Sequence, residues 1–392
     1  MEPLIALAEA KKDEKFPLPV VSPTSATTRL DEEIHAMTQD AANDKRLNAF
    51  VGVMLGTAVG DSLGLPAEGM SRQRIRARWG GIWRHRFLFG RGMISDDTEH
   101  TLFVAQALLA HPDDPAAFQR CLAWKLRLWL LGMPAGIGFA TLKAILKLWV
   151  GVPPSRSGVW SAGNGPAMRS AIIGVYFISD PAKLRAFVSA STQLTHTDPK
   201  AETAALAVAE SAAWAVNQNE PIEQWLIRLR GLGHDEAWTL ICHKLADALT
   251  SGKTVGEFAD SLGLQKGVTG YAYHSVPVAL YAWLRHRNDF CQALEAVLDC
   301  GGDTDTVGAI IGAIMGAQVG KKGIPLALLN DISEWPRSAS LLEQTAARLA
   351  QQSNTSDRLG PVRYFWPGVI LRNLLFLVVV LIHGFRRLFP PY

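Results

Sequence analysis

Cysteine is scarce and scattered in this sequence, with Cys121, Cys242, Cys291 and Cys300 the four it has in 392 residues. None forms a C-x-x-C pair, which excludes a disulfide framework and argues against structural zinc. Reduced, mostly buried thiols in a cytoplasmic protein are the expectation. Charge is sparse too, at 19% of residues, and it favours no sign: 39 Lys and Arg against 36 Asp and Glu leave +3. A balance so near neutral gives no global pull toward nucleic acid, and no specific nucleic-acid partner is expected. Long apolar runs are missing as well. Trp, Arg and Asp punctuate almost every one, against a polytopic membrane protein. The short apolar run at residues 4–8 lacks a basic stretch before it and does not read as a secretory signal.

What the sequence does have is apolar residues, 48% of the chain, enough to bury a real core and to exclude wholesale disorder. Residues 1–45, with Pro17, Pro19, Pro23 and a Ser/Thr cluster, read as a weakly structured extension, either a floppy tail or an arm that docks on a partner. From residue 46 to 350 apolar residues recur at spacings of three and four, as in 99–110, 116–131, 166–178 and 201–216. Turn signals at Pro112, Pro134, Pro153-Pro154 and Pro199 separate these runs, and strands are hard to find. An all-α domain is expected. Residues 351–392 form a linker and an apolar tail.

Glycine recurs every fourth residue in two helical stretches, at Gly52, Gly56, Gly60, Gly64 and at Gly308, Gly312, Gly316, Gly320. Positions four apart share a helix face, so each stripe allows a neighbouring backbone to come very close. A transmembrane G-x-x-x-G pair is the rival reading, weakened because both segments run into acidic clusters.

Those clusters carry the chemistry. Ser95-Asp96-Asp97-Thr98 opens a helix, where an N-cap with acids suited to the helix dipole is the plain reading. Gly301-Gly302-Asp303-Thr304-Asp305-Thr306 sets two more acids one residue apart beside a hydroxyl. Asp61 and Glu68 end the first glycine-striped helix. Carboxylates with hydroxyls and no clustered His or Cys make a hard-oxygen set that favours Mg²⁺, Mn²⁺ or Ca²⁺ over zinc. Several acids in one place need a cation to offset their repulsion, and metal-bridging carboxylates would activate a water for hydrolysis. That the three segments converge is an expectation.

Glu68, Ser95-Asp96-Asp97-Thr98, Gly163-Asn164-Gly165-Pro166-Ala167-Met168-Arg169, Thr195-His196-Thr197-Asp198 and Gly302-Asp303-Thr304-Asp305-Thr306 stand in the order of the ADP-ribosylglycohydrolase family. The chain resembles that family over roughly residues 47–325. The resemblance implies a compact orthogonal helical bundle with two Mg²⁺ or Mn²⁺ ions, held by Ser95, Asp96, Asp97, Asp303, Asp305 and Thr306. Ser95 stands where the family more often has threonine. Glu68, Asp97 and Asp303 would be catalytic, Glu68 beside the scissile bond. Gly163, Asn164, Gly165, Met168 and Arg169 would bind ribose and diphosphate, with His196 near the substrate. Tyr271 and Tyr273 would either stack on adenine or pack in the core. Asp61 is expected to cap, or to support the Glu68 loop. The implied activity is removal of ADP-ribose from a modified protein side chain, arginine first. An immunity or binding module that blocks an ADP-ribosylating toxin through the N-terminal extension is the alternative.

Two features fall outside the resemblance. Arg72, Arg74, Arg76, Arg78, Arg84, Arg86 and Arg91 crowd between Glu68 and Ser95, interleaved with Trp79, Trp83 and Phe87. They read as a solvated loop, or as a guide for a target, nucleic acid or anionic lipid. The tail at residues 366–387 reads as a membrane anchor on the cytoplasmic face, or as a helix docked on the core or a partner. Its uninterrupted apolar part, 374–382, is short, and Arg372 and Asn373 sit just before it.

Overall fold

One helix, Thr304–Val319, is apolar on every side and buried along almost its whole length, as a helix at the centre of a helical protein must be. In the computed structural model the Phe290–Leu298, Pro199–Asn217 and Ala272–Arg285 helices pack around it. The fourth neighbour is the first glycine-striped helix. A Cβ on Gly52 would lie 1.9 Å from the Gly316 carbonyl oxygen; on Gly56, 2.0 Å from that of Gly312; on Gly60, 1.9 Å from that of Gly308. The two stripes face each other and their backbones touch. The membrane reading of these stripes fails, because 94% of the 18-residue apolar stretch within 43–67 is buried inside the protein.

The structure describes residues 25–218, 220–355, 358–387 and 389. The chain divides into two units, residues 1–43 and 44–392. In the first, residues 1–24 of the expected extension lie outside the described residues, and backbone helix begins at Ser25, within a helix that spans Ser25–Gly64. The second unit holds the helical domain and the tail.

The expected all-α class is what the structure shows, with seventeen α-helices and one two-residue strand pair among the described residues. Helix starts follow capping chemistry: Asp114, Asp180, Asp198, Asp235 and Asp289 each accept from a backbone N–H of the first turn. Residues 166–178, which the periodicity makes one helix, break into a 3-10 turn, Ala167–Arg169, and a short helix, Ala171–Tyr176. The Asn164 carbonyl takes the N–H groups of Ala167 and Met168, and the turn tightens there. All four cysteines are free thiols; Cys242 and Cys300 are buried and the other two half-buried.

The tail forms the Pro367–Arg386 helix. One face packs on the domain: Gly368, Val369, Arg372, Asn373 and Phe376 are buried. Arg372 pairs with Glu334 and also donates to the Ile94 carbonyl, at 2.5 Å. Asn373 donates to the Gly132 carbonyl, at 2.8 Å.

Candidate active site

The backbone contact between the glycine stripes fixes where the acids meet. Gly64 ends one stripe, and the Thr304 hydroxyl donates to its carbonyl at 2.8 Å. Just beyond, the chain turns through Glu68 and Gly69, whose N–H donates to the Gly302 carbonyl at 2.7 Å. The antiparallel pair Met70–Ser71 with Gly301–Gly302 follows. Gly301 and Gly302 both have positive φ, a conformation open to glycine at little cost. Side chains there would also strike backbone: a Cβ on Gly302 would lie 1.9 Å from the Val268 carbonyl oxygen. Glycine-mediated packing of the two stripes thus brings the Glu68 loop onto the Asp303 turn.

The Ser95 turn joins them through Asp61. Both Asp61 carboxylate oxygens accept from the Ser95 N–H, at 3.1 and 2.9 Å. One of them also accepts from the Thr98 N–H at 3.2 Å and hydroxyl at 2.5 Å. The expected capping role of Asp61 is realised on the Ser95 turn. Burial pushes its carboxyl up to about 6, against the pull of these donors. Ser95 is the N-cap of the Asp96–Ala110 helix, and its hydroxyl lies 3.1 Å from Asp97 Oδ2. The Thr306 hydroxyl reaches the same oxygen from the Asp303 turn, at 3.4 Å. All three acidic segments therefore meet: the Ser95 turn touches Asp61 and Thr306 through side chains, and the Glu68 loop is pinned to the Asp303 turn by backbone.

Burial and mutual repulsion hold these acids toward their neutral forms. Asp96, Asp97 and Asp305 all lie well above the usual carboxylate range, first through burial and then through one another and through Asp61, Glu68, Glu99 and Asp303. Glu68, at the solvent-facing rim, is also raised by its enclosure and by Asp303, with Arg387 opposing. Oδ1 of Asp97 and Oδ1 of Asp305 are buried without a hydrogen-bond partner. Among the described residues no three His, Cys, Asp or Glu side chains converge as a ready ligand group for a metal. The donor set nonetheless fits a hard divalent cation: oxygens only, two of them orphaned, and carboxylates whose repulsion a cation would relieve.

The glycine loop closes the other side. Asn164 Nδ2 donates to Asp303 Oδ2 at 2.7 Å, and the Asn164 N–H donates to the Gly270 carbonyl at 3.0 Å. Gly163 bridges to Tyr271. A Cβ on Gly163 would sit 2.9 Å from His196 Nε2, and one on Gly165 3.3 Å from its Cε1, so both glycines make room for the buried imidazole. Arg169 Nη2 donates to the Thr195 hydroxyl at 2.8 Å, and the same hydroxyl lies within hydrogen-bond distance of His196 Nδ1, at 2.9 Å. Burial, with Arg169 nearby, lowers His196 to about 3. Met168 is buried and its carbonyl accepts from Thr101, at 3.2 Å. Arg169 is fully buried, its guanidinium engaged by Ser191, Thr195 and His100, so it braces the loop from behind. Tyr273 packs in the core against Trp238 and donates to Asp235. Tyr271 is half-exposed with its ring edge-on to His274.

Sequence reasoning missed the residues that hold the Ser95 turn from outside. Glu334 accepts from the Ile94 N–H at 2.8 Å and pairs with Arg372 of the tail. Glu99 is buried between Arg337 and Trp129. The available signal was a charged residue inside an apolar tail.

An all-helical fold in which glycine-packed helices bring paired carboxylates together, with a glycine loop opposite, defines a class of hydrolase. The chain matches the ADP-ribosylglycohydrolase family over residues 42–358, and it belongs to that family. It is 27% identical over 304 residues to the ADP-ribosyl-[dinitrogen reductase] glycohydrolase of Rhodospirillum rubrum, spanning 76% of this chain and 92% of that one. It is 29% identical over 222 residues to the human ADP-ribosylhydrolase ARH3, 49% of this chain and 58% of that one. A solved ADP-ribosylglycohydrolase-related protein complex superposes with a TM-score of 0.58 at 26% identity, covering 79% of this chain and 99% of the other.

Proposed function

We propose that this protein hydrolyses the bond between ADP-ribose and a modified protein side chain, with arginine as the first candidate. What carries the reading is the Asn164–Asp303 contact, which joins a glycine loop suited to a ribose-diphosphate to the acid cluster. Family membership and the named activity of the R. rubrum relative support it. Water adds to the anomeric carbon of the distal ribose, the carbon–nitrogen bond to the side chain breaks, and the departing nitrogen takes a proton. The Gly163–Gly165 loop faces the diphosphate, shaped by the Gly163 and Asn164 N–H groups that donate to Ser161 and to the Gly270 carbonyl. His196, held neutral by burial, orders that loop from beneath. Glu68, at the rim and raised above the usual carboxylate range by its enclosure and by Asp303, is suited to exchange a proton with water or leaving group. Tyr271, at the edge of the same loop, offers a face for the base. Asp97 and Asp303 orient the reacting end.

Ser95, Asp96, Asp97, Asp303, Asp305 and Thr306 would hold Mg²⁺ or Mn²⁺, two ions in this proposal. When bound, such ions supply a water of lowered pKa and a grip on ribose hydroxyls.

The test is release of ADP-ribose from ADP-ribosyl-arginine protein by purified enzyme with Mg²⁺ or Mn²⁺. Release by the wild type and its loss in Asp303→Ala supports the reading. No release, or equal release from both, overturns it. Blocking of an ADP-ribosylating toxin by contact is the competing reading. It requires that protection survive Asp303→Ala and disappear when residues 1–45 are removed.

A further inference from the structure

Between residues 367 and 385 every exposed residue of the tail helix is apolar. Leu371, Leu374, Leu375, Val378, Leu381, Ile382 and Phe385 are 46–66% exposed and recur at the three-and-four spacing of a single helix face. A helix of this length is about 30 Å long. That makes an unbroken apolar ridge, far longer than the single exposed side chains normal on a soluble surface. The exposed rings of Trp335 and Phe365, 6.0 Å apart, sit at its start, where a Cβ on Gly368 would lie 2.3 Å from Trp335. Phe389, also exposed, stacks edge-on to Phe385 at its end.

At that end the ridge meets positive charge. His383 and Arg386 line a cavity of about 600 Å³ with Arg78, Arg84, Arg86, Trp79 and the fully exposed Phe89. Among the described residues the lining holds no carboxylate, and the sequence has none from residue 69 to 95. A spanning helix is a poor reading of this geometry. Crossing a bilayer would pull Arg372 and Asn373 from their buried partners, Glu334 and the Gly132 carbonyl, and carry the Arg372 charge into hydrocarbon. A helix lying in the interface keeps those contacts and buries only the free face, with arginines at headgroup level and aromatic rings at the ends.

We propose that the exposed face of the Pro367–Arg386 helix and the arginine-lined cavity at its C-terminal end form one docking surface for an anionic phospholipid bilayer, on which the helix lies flat. The inference does not depend on the reaction assigned above. It does place the bilayer beside the site: His383 donates to the Pro66 carbonyl at 2.9 Å, and Arg387 to the Glu68 carbonyl at 2.7 Å.

The full-length protein should co-sediment with vesicles of phosphatidylglycerol and phosphatidylcholine. Binding to phosphatidylcholine alone should be at least about tenfold weaker, since each arginine near an anionic surface contributes roughly fivefold. Arg84→Glu/Arg86→Glu should lower binding to the anionic vesicles by at least that factor. Leu371→Gln/Leu375→Gln/Ile382→Gln should abolish it, with an unchanged circular dichroism spectrum and melting temperature. Four results would overturn the proposal: no binding to the anionic vesicles; equal binding to both vesicle types; a folded Gln variant that binds like the wild type; or a bound form that resists alkaline carbonate, which marks a span. A stable dimer by light scattering that the Gln variant disrupts, without vesicle binding, would assign the ridge to a second copy instead.

Discussion

Asn164 donates to Asp303 across 139 residues of sequence, Nδ2 to Oδ2 at 2.7 Å. The same Asn164 is tied by its backbone to Gly270, so three loops meet on one carboxylate. Removing the amide in Asn164→Ala frees Asp303 to rotate and leaves its oxygen unpaired. If Asp303 holds a metal, a lost partner of this kind costs about 10–100-fold in activity or metal affinity. Asn164→Asp should be worse, because it sets a second carboxylate against the first. Rates of ADP-ribose release titrated against Mn²⁺ check both. A variant with an unchanged rate and metal midpoint would remove Asn164 from the site.

The glycine stripes make a prediction with a sign. Gly56→Ala places a methyl 2.0 Å from the Gly312 carbonyl oxygen, a contact that only a separation of the two helices can relieve. Overpacking of this kind costs about 1–3 kcal/mol or more. It should also shift the Glu68 loop, whose position depends on the same helix. Gly384→Ala, in the last turn of the tail helix with open space around it, should stabilise by roughly 0.5–1 kcal/mol, because alanine suits a helix better. Urea melts of both variants decide it, and equal effects would show that backbone contact is not what the stripes provide.

Arg372 and Glu334 are nearly inaccessible to solvent, and their contacts with Ile94 stand directly before the Ser95 turn. Breaking a buried pair by removing one partner costs about 3–5 kcal/mol, and Arg372→Met should show a loss in that range by chemical denaturation. Glu334→Gln keeps an acceptor for the Ile94 N–H and should cost less. Because the pair flanks Ser95, both variants should slow hydrolysis as well. A fully active, stable Arg372→Met would mean that the tail can be detached without consequence.

What the sequence revealed and what it hid follow a physical rule. Local regularities were readable: the fourfold glycine spacing, the Asp-x-Asp turn after two glycines, and the acids at a helix start each imply geometry within a few residues. The mutual packing of the two stripes was an inference from that spacing, and the structure realises it. Partnerships between elements tens of residues apart were not readable. Nothing local tells that Asp61 caps a turn 34 residues on, that Arg169 faces inward to Ser191 and Thr195, or that Arg372 is the buried partner of Glu334. The tail is the clearest case. Its composition was equally consistent with membrane and with core, and the structure shows one face on the domain and the other to solvent.

The histidines give a pH dependence whose sign can be worked out. His196 lies at about 3 and His383 at about 4, both lowered chiefly by burial, against about 6.5 in an unfolded chain. Below about 6.5 the unfolded state binds protons that the folded state refuses, so stability is full above that pH and falls as pH drops toward 4. Each such histidine contributes at most about 1.4 kcal/mol per pH unit in that window, and half-buried His383 less, since solvent screens it. Asp61, raised to about 6, works the other way: from about pH 4 to 6 the folded state holds a proton that the unfolded state has lost, so its contribution falls as pH rises. Single substitutions separate the two. His383→Gln can still donate to the Pro66 carbonyl and should flatten the loss of stability between pH 6.5 and 4. Asp61→Asn should steepen the rise of stability with pH between about 4 and 6, at a cost in overall stability from its weaker cap. Denaturation midpoints across that range measure both slopes, and a His383→Gln profile parallel to the wild type would show that this histidine titrates normally in the folded protein.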